Sequence, residues 1–141
     1  MSRPLTQLIF VSRPLGFDQA TLAAILASAQ RRNRATGITG ALVCRADLYV
    51  QLLEGSRAAV TACFGRIVAD RRHSDVELVW AGDTLRRLFA GTPLRDDKAH
   101  GWMWSLAEIR NGAARVAGAA AYRQLFDRLA ATPRQGQDWD G

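Results

Sequence analysis

Two amides and one short polar run are the residues here whose types and spacing suit ligand binding. Gln51 falls inside an apolar segment, between Val50 and Leu52. In a strand, Tyr49, Gln51 and Leu53 share one face while Leu48, Val50 and Leu52 share the other. A glutamine in such company either faces solvent or is buried, and a buried amide needs a ligand, a water or another polar chain as partner. Asn33 stands at the end of a helical pattern, where an asparagine can serve simply as a left-handed cap or can reach a ligand. Asp70-Arg71-Arg72-His73 closes a second helical pattern. There Arg72 and His73 complement the helix dipole, and Asp70 can pair with a neighbouring arginine. Glu54-Gly55 is read as a turn.

Other chemistries lack a signature. His73 and His100 have no third ligand at metal-binding spacing, so no metal site is expected. There is no Ser-His-Asp or Cys-His arrangement, no GxGxxG and no phosphate loop.

The elements that must position these residues follow from periodicity. Leu5 to Arg13 alternates as a half-buried strand, and Pro14, Gly16 and Asp18 form a turn with Asp18 as N-cap. Gln19 to Arg32 places Leu22, Ile25, Leu26 and Ala29 at helical spacing, and Gly37 ends that unit. Ile38 to Arg45 and Leu48 to Leu53 are strands joined through Ala46-Asp47. Ser56 or its neighbour caps a helix through Ala69 with Val60, Cys63, Phe64 and Ile67 on its apolar face. Val76 to Trp80 is the next strand, and Ala81-Gly82-Asp83 turns the chain. Ala113 to Ala131 reads as an amphipathic helix with Val116, Ala120, Leu125, Phe126 and Leu129 on one side. This order is a ferredoxin-like βαββαβ sandwich of α+β class, with both crossover helices on one sheet face and an additional C-terminal strand/helical appendage covering the other face or its edge. The expected division is a domain over 1–97, a helical extension over 98–132 packed on it, and a flexible tail over 133–141.

Composition suits a soluble domain: 48% of residues are hydrophobic and 23% charged, and no apolar run reaches the ~20 residues of a membrane span. Cys44 and Cys63 form no disulfide framework, which points to a reducing cytoplasm. Net charge is +6, and Lys98 is the only lysine. The arginines are dispersed, and Tyr49 is the only aromatic of the central strands, so nucleic acid is not the expected partner.

Three segments together, Gly37-Ile38-Thr39-Gly40, Gln51-Leu52-Leu53-Glu54-Gly55 and Asp70-Arg71-Arg72-His73, resemble the BLUF family of small flavin-binding blue-light sensors. The resemblance runs from Leu5 to Phe89. It implies FAD between the two crossover helices, with Asn33 on the pyrimidine edge, Gln51 on the N5/O4 side and Ile25 against the ring. It further implies that Asp70, Arg72 and His73 line the second helix's side and that Arg32 lies near the ribityl-phosphate arm.

Two departures stand out. Phe10 occupies the place of the family's photochemical tyrosine, keeping the ring and losing the hydroxyl. The family's later Phe, Trp and Met spacing meets Phe89, Thr92 and Leu94 here, and only a shifted register would bring Trp102 or Trp104 near Gln51. The expectation is therefore a non-enzymatic, stand-alone, cytoplasmic flavin sensor with an impaired or absent photocycle, which signals through a downstream protein partner or as a homo-oligomer. Trp80, Trp102 and Trp104 are the aromatic surface expected to serve that contact. The alternative is a flavin-free interaction module on the same fold. Acylphosphatase chemistry fits poorly, since Arg13-Pro14-Leu15-Gly16 makes a weak phosphate cradle, and the membrane is not expected as a partner.

Overall fold

The computed structural model describes residues 4–14, 19–45, 48–71, 73–98, 103–105, 107–108, 112–113 and 117–132. Among the described residues the elements run β1 (Leu5–Pro14), α1 (Gln19–Thr36), β2 (Thr39–Arg45), β3 (Leu48–Gly55), α2 (Arg57–Ala69), β4 (His73–Thr84), β5 (Arg95–Lys98) and α3 (Ala119–Ala130). The sheet order is β4-β1-β3-β2-β5. All neighbours run antiparallel except β2 and β5. This is the expected ferredoxin-like α+β sandwich, extended by a short parallel edge strand.

Alternation along the central strands sorts side chains onto two faces. On one face lie Leu8, Phe10, Leu42, Tyr49 and Leu53, packed with residues of α1 and α2. On the other, Ile9, Val11, Ala41, Val43, Leu48, Val50 and Leu52 pack with Tyr122, Leu125, Phe126 and Leu129 of α3. Gly40 in β2 admits no side chain, because a Cβ there would collide with the Leu52 carbonyl oxygen of the neighbouring strand.

Several boundaries differ from expectation. α1 runs one turn further, to Thr36, and ends at Gly37 in the left-handed region (φ 73°). Asn33 is therefore interior to the helix rather than its cap. α2 begins and ends as read, with Ser56 accepting a hydrogen bond from the Ala59 amide at 3.1 Å and Ala69 last before the C-cap Asp70, so the polar run at 70–73 follows the helix rather than closing it. The backbone of His73 opens β4 opposite Pro14, so His73 does not end a helix. Ala81-Gly82-Asp83 belongs to β4, whose pairing with β1 continues to Leu5 opposite Thr84. Gly82 marks a close approach there rather than a turn: a Cβ would come within 2.6 Å of the Trp80 ring.

The last helix starts at Ala119 with Gly118 as N-cap. Gly118 interrupts the apolar period, Ala120 is exposed and Tyr122 joins the buried face instead. The expected roles of Gly16, Asp18, Ala46, Asp47 and Val116, and the tail, lie outside the described residues.

Candidate functional site

Gln51 sits mid-strand in β3, with Phe10 of β1 and Leu42 of β2 as its cross-strand neighbours. It is buried, and it faces the two crossover helices. Beneath those helices the apolar side chains divide into two clusters. Leu22, Ile25, Leu26, Leu42, Cys44, Tyr49 and Leu94 pack under α1. Leu8, Phe10, Ile38, Leu53, Val60 and Cys63 pack under α2. Gln51 lies at the boundary between them, and none of the described residues hydrogen-bonds its amide. An amide at this boundary is placed to serve a polar guest along the seam.

Asn33 comes to the same seam from α1 and is 2% exposed. Its Nδ2 donates to the Pro93 carbonyl at 2.8 Å. Its Oδ1 accepts from the Cys63 thiol of α2 at 3.9 Å, a long sulfur contact that nonetheless spans the two helices. Burial pushes the Cys63 thiol pKa up, while the guanidiniums of Arg66 and Arg32 pull it down. Arg32 and Arg66 are exposed, one on each helix, and both act on the same buried thiol. The seam therefore has a polar, apolar-walled interior and a cationic rim.

Of the residues singled out from sequence, Ile25 lies in the α1 cluster, Asn33 reaches Cys63 of α2 and Arg32 acts on the same thiol, while Gln51 stands on β3 between Tyr49 and Leu53. Asp70 is half-buried at the end of α2. Arg72 lies outside the described residues, and for His73 only the strand backbone is placed. Phe10 is fully buried directly across the ladder from Gln51, and its ring stands 5.4 Å from that of Phe64 at 56°. Leu94 packs against the α1 cluster, and the Thr92 carbonyl accepts from the Gly40 amide at 3.2 Å. Trp104 packs edge-on to Tyr122 on the opposite side of the sheet and so does not approach Gln51. Trp102 lies outside the described residues.

Two residues escaped the sequence reading. Arg66 follows Cys63 by one helical step, a spacing that puts it on the side of α2 facing the seam. Glu54 is no turn residue but the end of β3, fully buried. Its signal was the strand alternation itself, since Leu48, Val50 and Leu52 place Glu54 on the α3 face. Among the described residues, no group of three His, Cys, Asp or Glu is placed to hold a metal, and no helix is long and apolar enough to cross a membrane.

The chemistry of these groups, an apolar cluster under each helix, two amides between them and arginines outside, suits a planar heteroaromatic ligand. Comparison with known proteins points the same way. The sequence profile described as "BLUF: Sensors of blue-light using FAD" matches residues 5–95. The photoactivated adenylate cyclase subunit beta of Euglena gracilis is 39% identical over 88 residues, which are 60% of this chain and 10% of that protein. The chain thus spans about a tenth of the length of that relative. Among solved structures, the ground state of BlsA superposes with a TM-score of 0.80 at 17% identity, covering 94% of this chain and 91% of the other, a likeness of fold. The dark state of BlrB, a BLUF protein, gives a TM-score of 0.74 at 27% identity, covering 91% and 96%. The chain belongs to the BLUF family, the sensors of blue light that use a flavin.

Proposed function

We propose that this chain binds FAD in the seam between α1 and α2 and acts as a BLUF sensor whose photocycle is impaired by Phe10. The observation that carries the reading is the pairing of Phe10 with Gln51 across adjacent strands, both side chains on the helix face. A bound flavin supplies blue-light absorption and a strongly oxidising excited state. Asn33 and Gln51 would hold its polar edges, Ile25 would pack on the ring, and Arg32 and Arg66 suit its phosphate-bearing arm. Asp70, Arg72 and His73 complete the proposed binding set on the α2 side. Phe10 fills the ring position, but it has no proton to give and no hydroxyl to bond Gln51.

Signalling would pass through a protein partner or a second copy of the chain. Of the tryptophans, Trp80 is half-buried beneath Arg123 (4.4 Å to the ring centroid) and Trp104 packs on Tyr122. Exposed Leu78 on the β4 edge strand, Val68 on α2 and Leu85 are better candidates. The deciding experiment is an absorption spectrum of purified protein before and after blue light. A yellow protein with little or no reversible red shift is expected. A colourless protein that takes up neither FAD nor FMN would instead favour the flavin-free interaction module.

A further inference from the structure

Glu54 is the most completely engaged polar side chain among the described residues, and nothing in the flavin reading uses it. It is 0% exposed. Its Oε2 accepts from Gln7 Nε2 at 2.8 Å and from the Leu88 amide at 2.6 Å. Its Oε1 accepts from Thr39 Oγ1 at 3.1 Å and from the Phe89 amide at 3.0 Å. Gln7 and Thr39 are its direct cross-strand neighbours on β1 and β2. Arg87 adds a guanidinium that donates to Thr39 Oγ1 at 2.8 Å and to the Glu54 carbonyl at 3.1 Å.

Two of those bonds capture backbone from a distant part of the chain, the connection between β4 and β5. From Phe89 that connection is fastened step by step. The Thr92 amide donates to the Phe89 carbonyl at 3.1 Å, and the Thr92 carbonyl accepts from Gly40. The next two carbonyls then accept from α1, Pro93 from Asn33 and Leu94 from Gln30 at 3.2 Å. Glu54 itself stands on the α3 face of the sheet, whereas Asn33 stands on the flavin face. The 88–94 segment therefore carries the anchoring from one face to the other.

We infer that Glu54 is a positioning residue for the ligand seam, orienting the Asn33 amide through the 88–94 segment. The Pro93 carbonyl holds one Nδ2 hydrogen of Asn33, which leaves Oδ1 aimed at the α2 side, where Cys63 stands. If residues 88 and 89 lose their anchor, Pro93 shifts and Asn33 loses the bond that sets its orientation. The inference rests on the flavin reading only for its consequence, not for its geometry.

Glu54→Gln is the sharp test, because both carboxylate oxygens receive a backbone N–H. Either orientation of the new amide turns an NH2 toward the Leu88 or the Phe89 amide, so one anchor is lost while size is kept. Flavin affinity is measured for the wild type, E54Q, N33A and the double variant by fluorescence titration. Side-chain amide resonances of Asn33 are followed separately by NMR in flavin-free protein. The expected result is about fivefold weaker binding in E54Q, no further loss when E54Q is added to N33A, and a displaced Asn33 resonance. Additive losses, or an Asn33 resonance that stays in place in E54Q, would overturn the inference. Absence of flavin binding by the wild type would defeat the functional reading alone, and the NMR arm would still decide this one. Should E54Q not fold, Glu54→Asp, charged but one methylene shorter, is expected to move Asn33 in the same way.

Discussion

Asn33 Oδ1 and Cys63 Sγ meet at 3.9 Å across the inner sides of α1 and α2. The contact is weak, since a thiol is a poor donor. A seam held this lightly can part for a flat ligand at little cost, whereas the walls on either side are closely packed.

Asn33→Ala should weaken flavin binding by about 1 kcal/mol, or about fivefold. It removes a neutral hydrogen-bonding group and also frees the Pro93 carbonyl from its 2.8 Å donor. Fluorescence titration checks this, and an affinity equal to that of the wild type would take Asn33 out of the site.

Cys63 gives a pH prediction with a definite sign. Burial raises its thiol pKa above the ordinary 9.0. Below pH 9.0 both folded and unfolded thiols are protonated, and the contribution to stability is fully present. Above it the unfolded thiol ionises first, so stability declines until the pH has passed the folded value. Melting temperature against pH should therefore fall less steeply above 9.0 in Cys63→Ala than in the wild type. Saturating flavin should also slow alkylation of Cys63, located by peptide mapping, if the ligand covers the seam.

The α3 face is a stability element. Phe126 is 0% exposed and packs with the sheet side chains of β1, β2 and β3. Phe126→Ala should cost about 3–5 kcal/mol in denaturant unfolding. A loss under about 1 kcal/mol would mean that α3 is a loosely attached appendage.

The legible parts of this molecule were those whose signal is local. The period-2 pattern of Leu48 to Leu53 fixed which face Gln51 takes, and the Ser56 cap and Cys63 stripe located α2. Glu54 was misread because an acid followed by glycine at a strand end looks like a turn. The donors that satisfy it come from residues 88 and 89 and from two neighbouring strands, and such tertiary partners leave no trace in local spacing. The cap alternative for Asn33 fails for a related reason. Its helix continues to Thr36 with Gly37 as the true stop, and its amide is used across space by Pro93. His73 was drawn into a helix by the polar run around it, while its backbone pairs with Pro14 at the far end of β1.

Phe10→Tyr is the substitution that tests the photochemical reading most directly. Phe10 is fully buried, stands opposite Gln51 and stacks near Phe64, so the ring environment already exists and only a hydroxyl is added. That hydroxyl would face the Gln51 amide across the ladder, and the new bond offsets the cost of burying the oxygen. With flavin bound, a tyrosine there also provides an electron and a proton to the excited cofactor, which phenylalanine cannot. F10Y should therefore gain a reversible red shift under blue light that the wild type lacks, with stability within about 1 kcal/mol of the parent. Adding Gln51→Leu to F10Y should abolish the shift again, because the glutamine amide is the group whose bonding changes. If the wild type already shifts as fully as F10Y, Phe10 is not the photochemical position; if F10Y binds flavin and stays silent, the defect lies elsewhere in the seam.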